Sequence, residues 1–394
     1  MIHPDNYGFY TYKDVKTYSK YEVMCLTNNR SDVSWNYNDE FFSSFDWTKE
    51  PTESLSILYE KRAASLRQNY DYLILMYSGG ADSGNILESF VRNKIHLDEI
   101  CQYTNVKGSG NPNDHKNKEV FTVARPKVQR YIEQYGLKTK SRLVDVTSST
   151  LTTYDEKTKF DFVNWINCYA SPTGVQRSKF YKNVKEWRDL VISGKKIAFI
   201  WGCDKPRMRV TANGCYFYFV DILEGAINLR EQHLGYDGPV DELFYWSPTA
   251  ESANILIKQS HTIKNLLSNP HCRKIYKNFK YKDTEETPVI VTHKEGNYLF
   301  GGNPLKYLIY PNWDHVDEMS LKNRRGHFLP ESDEWFVSQS NERTVQIYLH
   351  GIEHFAKTVQ PAWLNSWIDS KTIEFQGKQY PKRIHKTHSR EYKI

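Results

Sequence analysis

The segment Tyr72-Leu-Ile-Leu-Met-Tyr77, followed directly by Ser78-Gly79-Gly80-Ala81-Asp82-Ser83, decides the fold of this chain. Its first part is a short apolar run, which is typical of a strand buried on both faces of a parallel sheet. Beyond the serine- and glycine-rich loop, apolar residues recur at helical spacing, namely Ile86, Leu87, Phe90 and Val91. The segment therefore predicts a buried strand, a tight loop and a helix in succession.

The same alternation continues outward from this segment. Further apolar runs predict strands at 99–104, 141–146 and 196–202, and amphipathic stretches predict helices over 52–68, 118–135, 178–192 and from 248 to about 267. Strands that alternate with helices form right-handed βαβ units. We therefore expect an α/β fold, with a twisted, mostly parallel sheet and helices on both of its faces.

The α/β pattern occupies only the middle of the chain, so we expect three parts. Residues 1–70 form an N-terminal extension, residues 71–267 the α/β domain, and residues 268–394 a C-terminal α+β region. Turn and helix patterns predict the remaining elements, namely hairpins at Asn213-Gly214 and Glu295-Gly296 and a helix over 341–359.

Composition limits the class of protein. Hydrophobic residues make up 39% of the 394 residues and charged residues 25%, an ordinary globular balance. No apolar run reaches the ~18–20 residues of a membrane helix, and the first residues do not resemble a secretory signal. The 6 cysteines form no CxxC pair, so we expect a cytoplasmic protein without disulfides or a zinc ribbon. The many Asn, Lys and Tyr residues fit an AT-rich genome, microbial or viral.

Positive charge is concentrated near the C-terminal end. The net charge is +6, and residues 371–394 contain Lys371, Lys378, Lys382, Arg383, Lys386, Arg390 and Lys393 against Glu374 and Glu391. A basic tail of this kind either binds the phosphate backbone of nucleic acid or is a solvated, partly disordered terminus. The sequence leaves both interpretations open.

The loop at 78–83 has the composition of an anion-binding site. Two adjacent glycines allow a tight turn and a close approach to a ligand, and the next helix directs its free N–H groups and positive dipole end at the loop. Ser78 and Ser83 add hydroxyl donors, and Asp82 either caps the helix or orients Mg²⁺. Such a loop suits phosphate or pyrophosphate, although its spacing is neither that of a Walker A loop nor that of GxGxxG.

This Ser-Gly-Gly-x-Asp-Ser loop after the first strand resembles the PP-loop of the ATP pyrophosphatase (adenine nucleotide alpha hydrolase) superfamily, with the asparagine-synthetase-like and phosphoadenylylsulfate-reductase-like branches as candidates. In that superfamily a substrate oxygen attacks the α-phosphate of ATP, which releases pyrophosphate and leaves an adenylated intermediate. The resemblance covers residues 71–225. It implies that ATP and Mg²⁺ are the cofactors, with pyrophosphate held by Ser78, Gly79, Gly80, Asp82 and Ser83 and the metal by Asp82.

A second cluster of functional residue types follows the fourth predicted strand, where the chain reads Gly202-Cys-Asp-Lys-Pro-Arg207. Ligands of open α/β sheets bind at the carboxyl ends of the strands, so this segment is expected to face the same ligand as the loop at 78–83. The predicted roles are nucleotide binding for Gly202, Mg²⁺ binding for Asp204, and stabilisation of the negative charge on the phosphates for Lys205 and Arg207. Together with Asp82, which binds the metal, Lys205 and Arg207 are the predicted catalytic residues. The alternative is a surface turn with an internal ion pair.

Weaker candidates follow the second and third strands. Thr104 and Asn105 stand where the superfamily usually binds adenine or ribose. Glu119 and Asp145 are possible metal contacts only because each lies near the end of a strand or the start of a helix. His271-Cys272 is more typical of a structural pair than of a metal site.

The positions of the cysteines reduce the number of possible reactions. The last cysteine is Cys272, so the redox cysteine of the reductases is missing, and residue 2 is Ile rather than the catalytic cysteine of a class II glutaminase. We therefore expect adenylation of a carboxylate or a nucleobase carbonyl, followed by amide or C–N bond formation. The alternatives are a nucleic-acid modification protein that binds through its basic tail and a nucleotide sensor without turnover.

Overall fold

The computed structural model of the chain describes residues 4–104, 120–147, 184–202, 207–211, 213–221, 238–268, 306–311, 367, 372–375, 378–381 and 385–394. The N-terminal part contains the strands β1 (Phe9–Tyr12), β2 (Val15–Thr17) and β3 (Ser34–Asn36) and the helices α1 (Lys20–Leu26), α2 (Asp39–Ser43) and α3 (Leu55–Asn69). Its three strands form a small antiparallel sheet with β1 in the middle.

The remaining strands and helices follow in chain order. The strands are β4 (Tyr72–Met76), β5 (Glu99–Thr104), β6 (Lys140–Asp145), β7 (Ile197–Trp201), β8 (Arg207–Thr211), β9 (Gly214–Val220), β10 (Val240–Leu243), β11 (Thr372–Phe375), β12 (Lys378–Pro381) and β13 (His388–Lys393). The helices are α4 (Ala81–Arg92), α5 (Arg125–Tyr135), α6 (Lys185–Ile192), α7 (Ala250–Ser268) and α8 (Lys306–Ile309), and a π-helical turn at Val120–Ala124 leads into α5.

A five-stranded parallel sheet forms the centre of the molecule, with the spatial order β10-β7-β4-β5-β6. The strand that comes first in the chain, β4, therefore lies in the middle, and the strand order reverses between β4 and β7. In doubly wound sheets, ligands bind in the crevice outside the carboxyl ends of the strands at this point of reversal. The topology places the loop at 78–83 at that edge.

Alternate residues of β4 face two separate cores because side chains of a strand alternate between the faces of the sheet. Leu73 and Leu75 lie in a core shared with α3, α4 and α5, whereas Ile74 and Met76 pack in a second core with Trp187 of α6. Helices thus cover both faces of the parallel sheet, and the predicted α/β class is confirmed at that level.

A second sheet joins distant parts of the chain. β13, β9 and β8 form an antiparallel sheet with β9 in the middle. The N-terminal part packs against it: the Trp47 ring stacks on Phe217 at 4.8 Å and on Tyr392 at 4.6 Å, and Lys20 forms a buried ion pair of 2.6 Å with Asp221. Core contacts therefore cross the positions 70 and 267, and the division into three domains stays a prediction.

The sequence located the first four strands of the parallel sheet to within one residue at either end, and it located α3 and α7 closely. The hairpin at Asn213-Gly214 is confirmed as the turn between β8 and β9, and Gly136 ends α5 with a φ of 58°. The predicted hairpin at Glu295-Gly296, the helix over 341–359 and the pair His271-Cys272 lie outside the described residues.

The helix predicted from residue 248 begins two residues later, at Ala250, and Thr249 Oγ1 accepts from the N–H of Ser252 at 3.3 Å. At the C-terminal end the sequence left two interpretations open, a nucleic-acid-binding tail and a partly disordered terminus. Residues 388–393 of that segment form β13, which pairs with β9. Apolar burial of Tyr392 and Ile394 fixes this strand in place.

Candidate functional site

The loop at 78–83 lies directly after the central strand. The N–H of Tyr77 donates to the carbonyl of Cys101 at 2.9 Å, so pairing with β5 continues to the last residue before the loop. Helix α4 starts at Ala81 with Gly80 as its N-cap residue, and the N–H of Gly84 donates to the Gly80 carbonyl at 2.8 Å. The predicted strand, loop and helix are therefore present in that order.

The two serines of the loop, Ser78 and Ser83, lie next to each other. The hydroxyl oxygens of Ser78 and Ser83 lie 3.3 Å apart, and the N–H of Ser78 donates to Ser83 Oγ at 3.3 Å. Ser78 is exposed and Ser83 is buried, so one hydroxyl of the pair lies at the protein surface and the other lies inside the loop. Glycine at the N-cap position has no side chain that could bond the first N–H groups of α4. N–H groups at a helix N-terminus and nearby hydroxyls are the kinds of donor that bind anions in proteins.

Two glycines allow neighbouring segments of the chain to pack closely against this loop. Gly79 has a φ of 83°, and a Cβ atom there would lie 2.9 Å from the Cβ of Ala124, just before α5. A Cβ at Gly202, which follows β7, would lie 2.8 Å from the backbone N of Ser83. Both positions therefore require glycine for the loop to keep its shape, and Gly202 places the end of β7 against the first turn of α4.

Asp82 is held by two tyrosines from outside the loop. Tyr310, which follows α8, donates its hydroxyl hydrogen to Asp82 Oδ1 at 2.6 Å. Tyr245, which follows β10, donates to the Asp82 carbonyl at 2.9 Å and accepts from Asn85 Nδ2 at 3.0 Å. The N-cap residue of α4 is therefore Gly80 rather than Asp82, and the position of Asp82 depends on two segments that lie far from it in the sequence.

A third tyrosine completes this cluster. The ring of Tyr59 on α3 lies 6.1 Å from that of Tyr245 and 6.4 Å from that of Tyr310, and its hydroxyl donates to the Ile309 carbonyl and accepts from Gln259 at 2.8 Å. Burial raises the pKa of Tyr310 well above its usual value, and the charge of Asp82 raises it further. Tyr310 is therefore a neutral donor at physiological pH. No local pattern marks it among the 28 tyrosines of the sequence.

Gln102 is a further polar residue that the sequence did not single out. It lies on β5, one position beyond the residue that pairs with Met76, and only 1% of it is exposed. Among the described residues, neither the nitrogen nor the oxygen of its amide has a hydrogen-bond partner. Buried amides are rarely left this way, since an unsatisfied group costs about 1–3 kcal/mol.

The other predicted site residues are only partly described. Thr104 ends β5 and is buried, and its carbonyl accepts from the N–H of Val146 at 2.9 Å. Asp145 accepts from the N–H of Thr147 at 2.9 Å at the end of β6. The predicted residues Asn105, Glu119, Asp204 and Lys205 lie outside the described residues.

Arg207 starts β8 and lies directly opposite Tyr218 of β9. Its position in the antiparallel sheet puts it beside Tyr218, and its role at the phosphates stays a prediction. Within the described ranges, no group of three or more His, Cys, Asp or Glu side chains could hold a metal ion, and no helix is long and apolar enough to cross a membrane.

No family model matches the chain, and no curated protein matches it either. The resemblance to the PP-loop superfamily therefore depends on the loop, its strand–helix setting and its place in the sheet.

Proposed function

We propose that this protein is an ATP-dependent adenylating enzyme, which cleaves ATP to AMP and pyrophosphate in order to activate a carboxylate or a nucleobase carbonyl. The observation that carries the proposal is the position of the loop Ser78–Ser83. It follows the central strand of a parallel sheet at the point where the strand order reverses. This is where doubly wound proteins bind nucleotides.

The residues of the loop fit a pyrophosphate group. Gly79 and Gly202 leave no room for side chains, so backbone atoms can approach a ligand closely. The N–H groups at the start of α4 favour negative charge, and the converging hydroxyls of Ser78 and Ser83 add two donors. In this proposal, Thr104 and Asn105 lie beside the nucleoside part of ATP.

Mg²⁺ fits the same site through few protein ligands. In nucleotide enzymes, Mg²⁺ is commonly bound by one or two carboxylates together with substrate phosphates. Asp82 and Asp204 would hold the ion, which supplies charge neutralisation when it is bound. Tyr310 fixes the orientation of the Asp82 carboxylate, while Lys205 and Arg207 would stabilise the negative charge that builds up on the phosphates.

The experiment that tests this proposal uses α-³²P-labelled ATP with Mg²⁺, with and without a pool of amino acids, ammonia and nucleic acid. We expect labelled AMP from the wild-type protein and at least about 100-fold less from Asp82→Asn and Ser83→Ala, because each removes a charged or hydrogen-bonding group at the phosphates. Ser89→Ala is the matched control, since Ser89 is a buried serine of the same helix whose hydroxyl bonds only the Asn85 carbonyl among the described contacts.

The pool component that stimulates AMP release would identify the acceptor class. Labelled ADP in place of AMP would overturn the adenylation mechanism, and so would equal AMP release by wild-type protein and Asp82→Asn.

A nucleotide sensor without turnover is the second candidate, and the contact between Tyr310 and Asp82 favours it. A carboxylate oxygen that already accepts a short hydrogen bond of 2.6 Å is less available to a metal ion. ATP binding by calorimetry without any AMP release, under every acceptor condition, would support the sensor over the enzyme.

A further inference from the structure

The segment that leads into helix α5 packs directly against the loop at 78–83. A Cβ atom at Gly79 would lie 3.2 Å from the Cα of Ala124 and 3.3 Å from its backbone nitrogen. Ala124 ends the π-helical turn before α5, and π-helical turns occur frequently at functional sites. Because neighbouring Cα atoms are about 3.8 Å apart, the backbone of Arg125 lies within about 7 Å of the Gly79 Cβ position.

The charges of α5 are arranged against the dipole of the helix. Arg125, Lys127 and Arg130 lie in its first two turns, and its first turn contains no acidic residue. Its carboxylate, Glu133, lies in the last turn. The positive end of a helix disfavours cations and favours anions. An anionic ligand at the start of α5 would compensate this arrangement, and a local rule that a sequence breaks in this way is often broken at a functional site.

Arg125 is the cation of α5 that lies next to the loop, and it is available to a ligand. It is exposed, and within the described part of the chain its side chain has no hydrogen bond and no ion pair. A guanidinium group presents a planar fork of N–H donors that matches the oxygens of a phosphate group. Arg125 therefore has the charge, the geometry and the exposure of a phosphate-binding residue.

The buried amide of Gln102 is an independent indication of a ligand on this side of the loop. Side chains alternate between the faces of a sheet, so Gln102 faces the same side as Ile100, which shares a core with Ala124. The strand β5, on which Gln102 lies, contacts the π-helical turn. An amide that is only 1% exposed and has no partner among the described residues calls for a functional explanation.

We propose that Arg125 binds the phosphate chain of the nucleotide that the loop at 78–83 holds. The inference rests on the proposed function, because it takes the ligand of the loop to be a nucleoside polyphosphate. Strands β5 and β7 flank β4 on opposite sides. Arg125 approaches from the helix that follows β5, whereas the predicted cation Lys205 follows β7 in the chain. The phosphates would therefore be bound by cations from both sides of the central strand.

The test is isothermal titration calorimetry of the full chain with ATP and with inorganic tripolyphosphate, each in the presence of Mg²⁺. We expect Arg125→Gln to weaken the binding of both ligands at least about tenfold, the effect of losing one hydrogen bond to a charged group. Arg125→Lys keeps the charge but loses the planar fork, so its affinities should lie between those of wild type and Arg125→Gln. Weaker binding of ATP alone, with tripolyphosphate unaffected, would overturn the assignment of Arg125 to the phosphate chain.

Arg188→Gln is the matched control. Arg188 is an exposed arginine in the first turns of α6, and its side chain likewise has no partner among the residues that the structure describes. Its helix packs on the other face of the sheet through Trp187, so both affinities should stay unchanged. Equal losses in the two variants would overturn the proposal in favour of general attraction between a cationic protein and polyanions.

Urea unfolding separates ligand binding from a structural role of Arg125. Because Arg125→Gln removes a cation from the positive end of α5, its urea midpoint should equal or exceed that of wild type. A lower midpoint together with weaker binding would mean that Arg125 acts through the fold, which overturns the proposal. If wild type binds ATP and Arg125→Gln binds it equally well, only this inference fails. If wild type binds neither ATP nor tripolyphosphate, the proposed function fails with it.

Discussion

The loop after β4 and the antiparallel sheet of β8, β9 and β13 differ in how the chain assembles them. The loop is one continuous stretch, Ser78–Ser83, and its strand and helix are its immediate neighbours in the sequence. The antiparallel sheet instead joins Arg209 to Glu391 across 182 positions of the chain. A site of the first kind can be recognised from a short motif, whereas a site of the second kind exists only after distant strands have paired.

The antiparallel sheet should therefore depend most on long-range contacts, and Lys20→Met is expected to have the largest effect on stability. Lys20 is fully buried, and its ammonium group is 2.6 Å from Asp221, which also accepts from Tyr10 and from the N–H of Thr387. Removing the cation leaves a buried carboxylate without its counter-charge, which costs about 3–5 kcal/mol. Urea unfolding of wild type and variant measures this loss.

Lys16→Met is the matched control for that prediction. Lys16 also pairs with an aspartate at 2.6 Å, but its side chain is 42% exposed, so its removal should cost less than about 1 kcal/mol. Equal losses from the two variants would mean that burial of the Lys20–Asp221 pair does not hold the N-terminal part against β9.

At the loop, the largest effect should come from backbone geometry. Gly79→Ala puts a side chain at a φ of 83° and brings its Cβ to 2.9 Å from Ala124. We expect a loss of about 2–3 kcal/mol, from left-handed strain together with overpacking. Gly84→Ala is the control on the same segment: it lies in a helix with no atom within 4 Å of the new Cβ, and it should stabilise the protein by about 0.5–1 kcal/mol. If Gly79→Ala were as stable as wild type in urea unfolding, the close packing of the loop on Ala124 would be disproved.

The contrast also explains which features could be predicted from the sequence. A strand that is buried on both faces of a sheet must be apolar. The apolar runs of β4, β5, β6 and β7 therefore indicate their burial without knowledge of the rest of the chain. β10 was missed because it reads Val240-Asp-Glu-Leu243, and its carboxylates are accommodated by partners elsewhere: Trp201 donates to Asp241 at 2.5 Å, and Arg62 pairs with Glu242 at 2.6 Å. These partners lie outside the strand, so the sequence of β10 alone does not show that its carboxylates can be accommodated in a sheet.

The residues of the candidate site also fall into those that the sequence predicts and those that it does not. The loop residues were predicted because glycine and serine at fixed spacing have a local chemical meaning. Tyr310 was not, since it reaches Asp82 across 228 positions of the chain. The strand β13 was not predicted, because its basic residues suggested either a nucleic-acid-binding tail or a solvated terminus, whereas in the structure it pairs with β9 and its residues Ser389 and Tyr392 are buried. Alternation of exposed and buried side chains in a strand becomes clear only once its partner is known.

Tyr310→Phe tests whether the distant tyrosine matters to the local loop. Its loss removes a hydrogen bond to a charged group, which should cost about 2 kcal/mol of stability. The Asp82 carboxylate also loses a competing donor, so we expect half-maximal AMP formation at a lower Mg²⁺ concentration, together with slower turnover because the carboxylate is less well oriented.

Tyr37→Phe is the control, since Tyr37 is an equally buried tyrosine whose hydroxyl donates to the Trp246 carbonyl at 2.8 Å rather than to a loop residue. It should lower stability by about 1 kcal/mol and leave the Mg²⁺ dependence unchanged. A Mg²⁺ dependence that shifts equally in both variants would show that Tyr310 acts on the fold as a whole.

The smallest expected effect is a pH dependence in the antiparallel sheet. The pKa of His388 falls from its usual 6.5 to about 4 in the folded protein, because of burial and nearby cations. The unfolded chain therefore binds more protons between these two values, so stability should be complete above pH 6.5 and decline as the pH falls toward 4. Because solvent screens part of the interaction between His388 and the nearby charges, we expect a contribution of only about 1 kcal/mol.

His388→Phe keeps an aromatic ring on Tyr218 and cannot titrate, so the decline in its urea midpoint between neutral and acidic pH should be smaller than that of wild type. Identical declines would show that the acid sensitivity of the protein has another origin, and that the surroundings of His388 do not hold it in its neutral form.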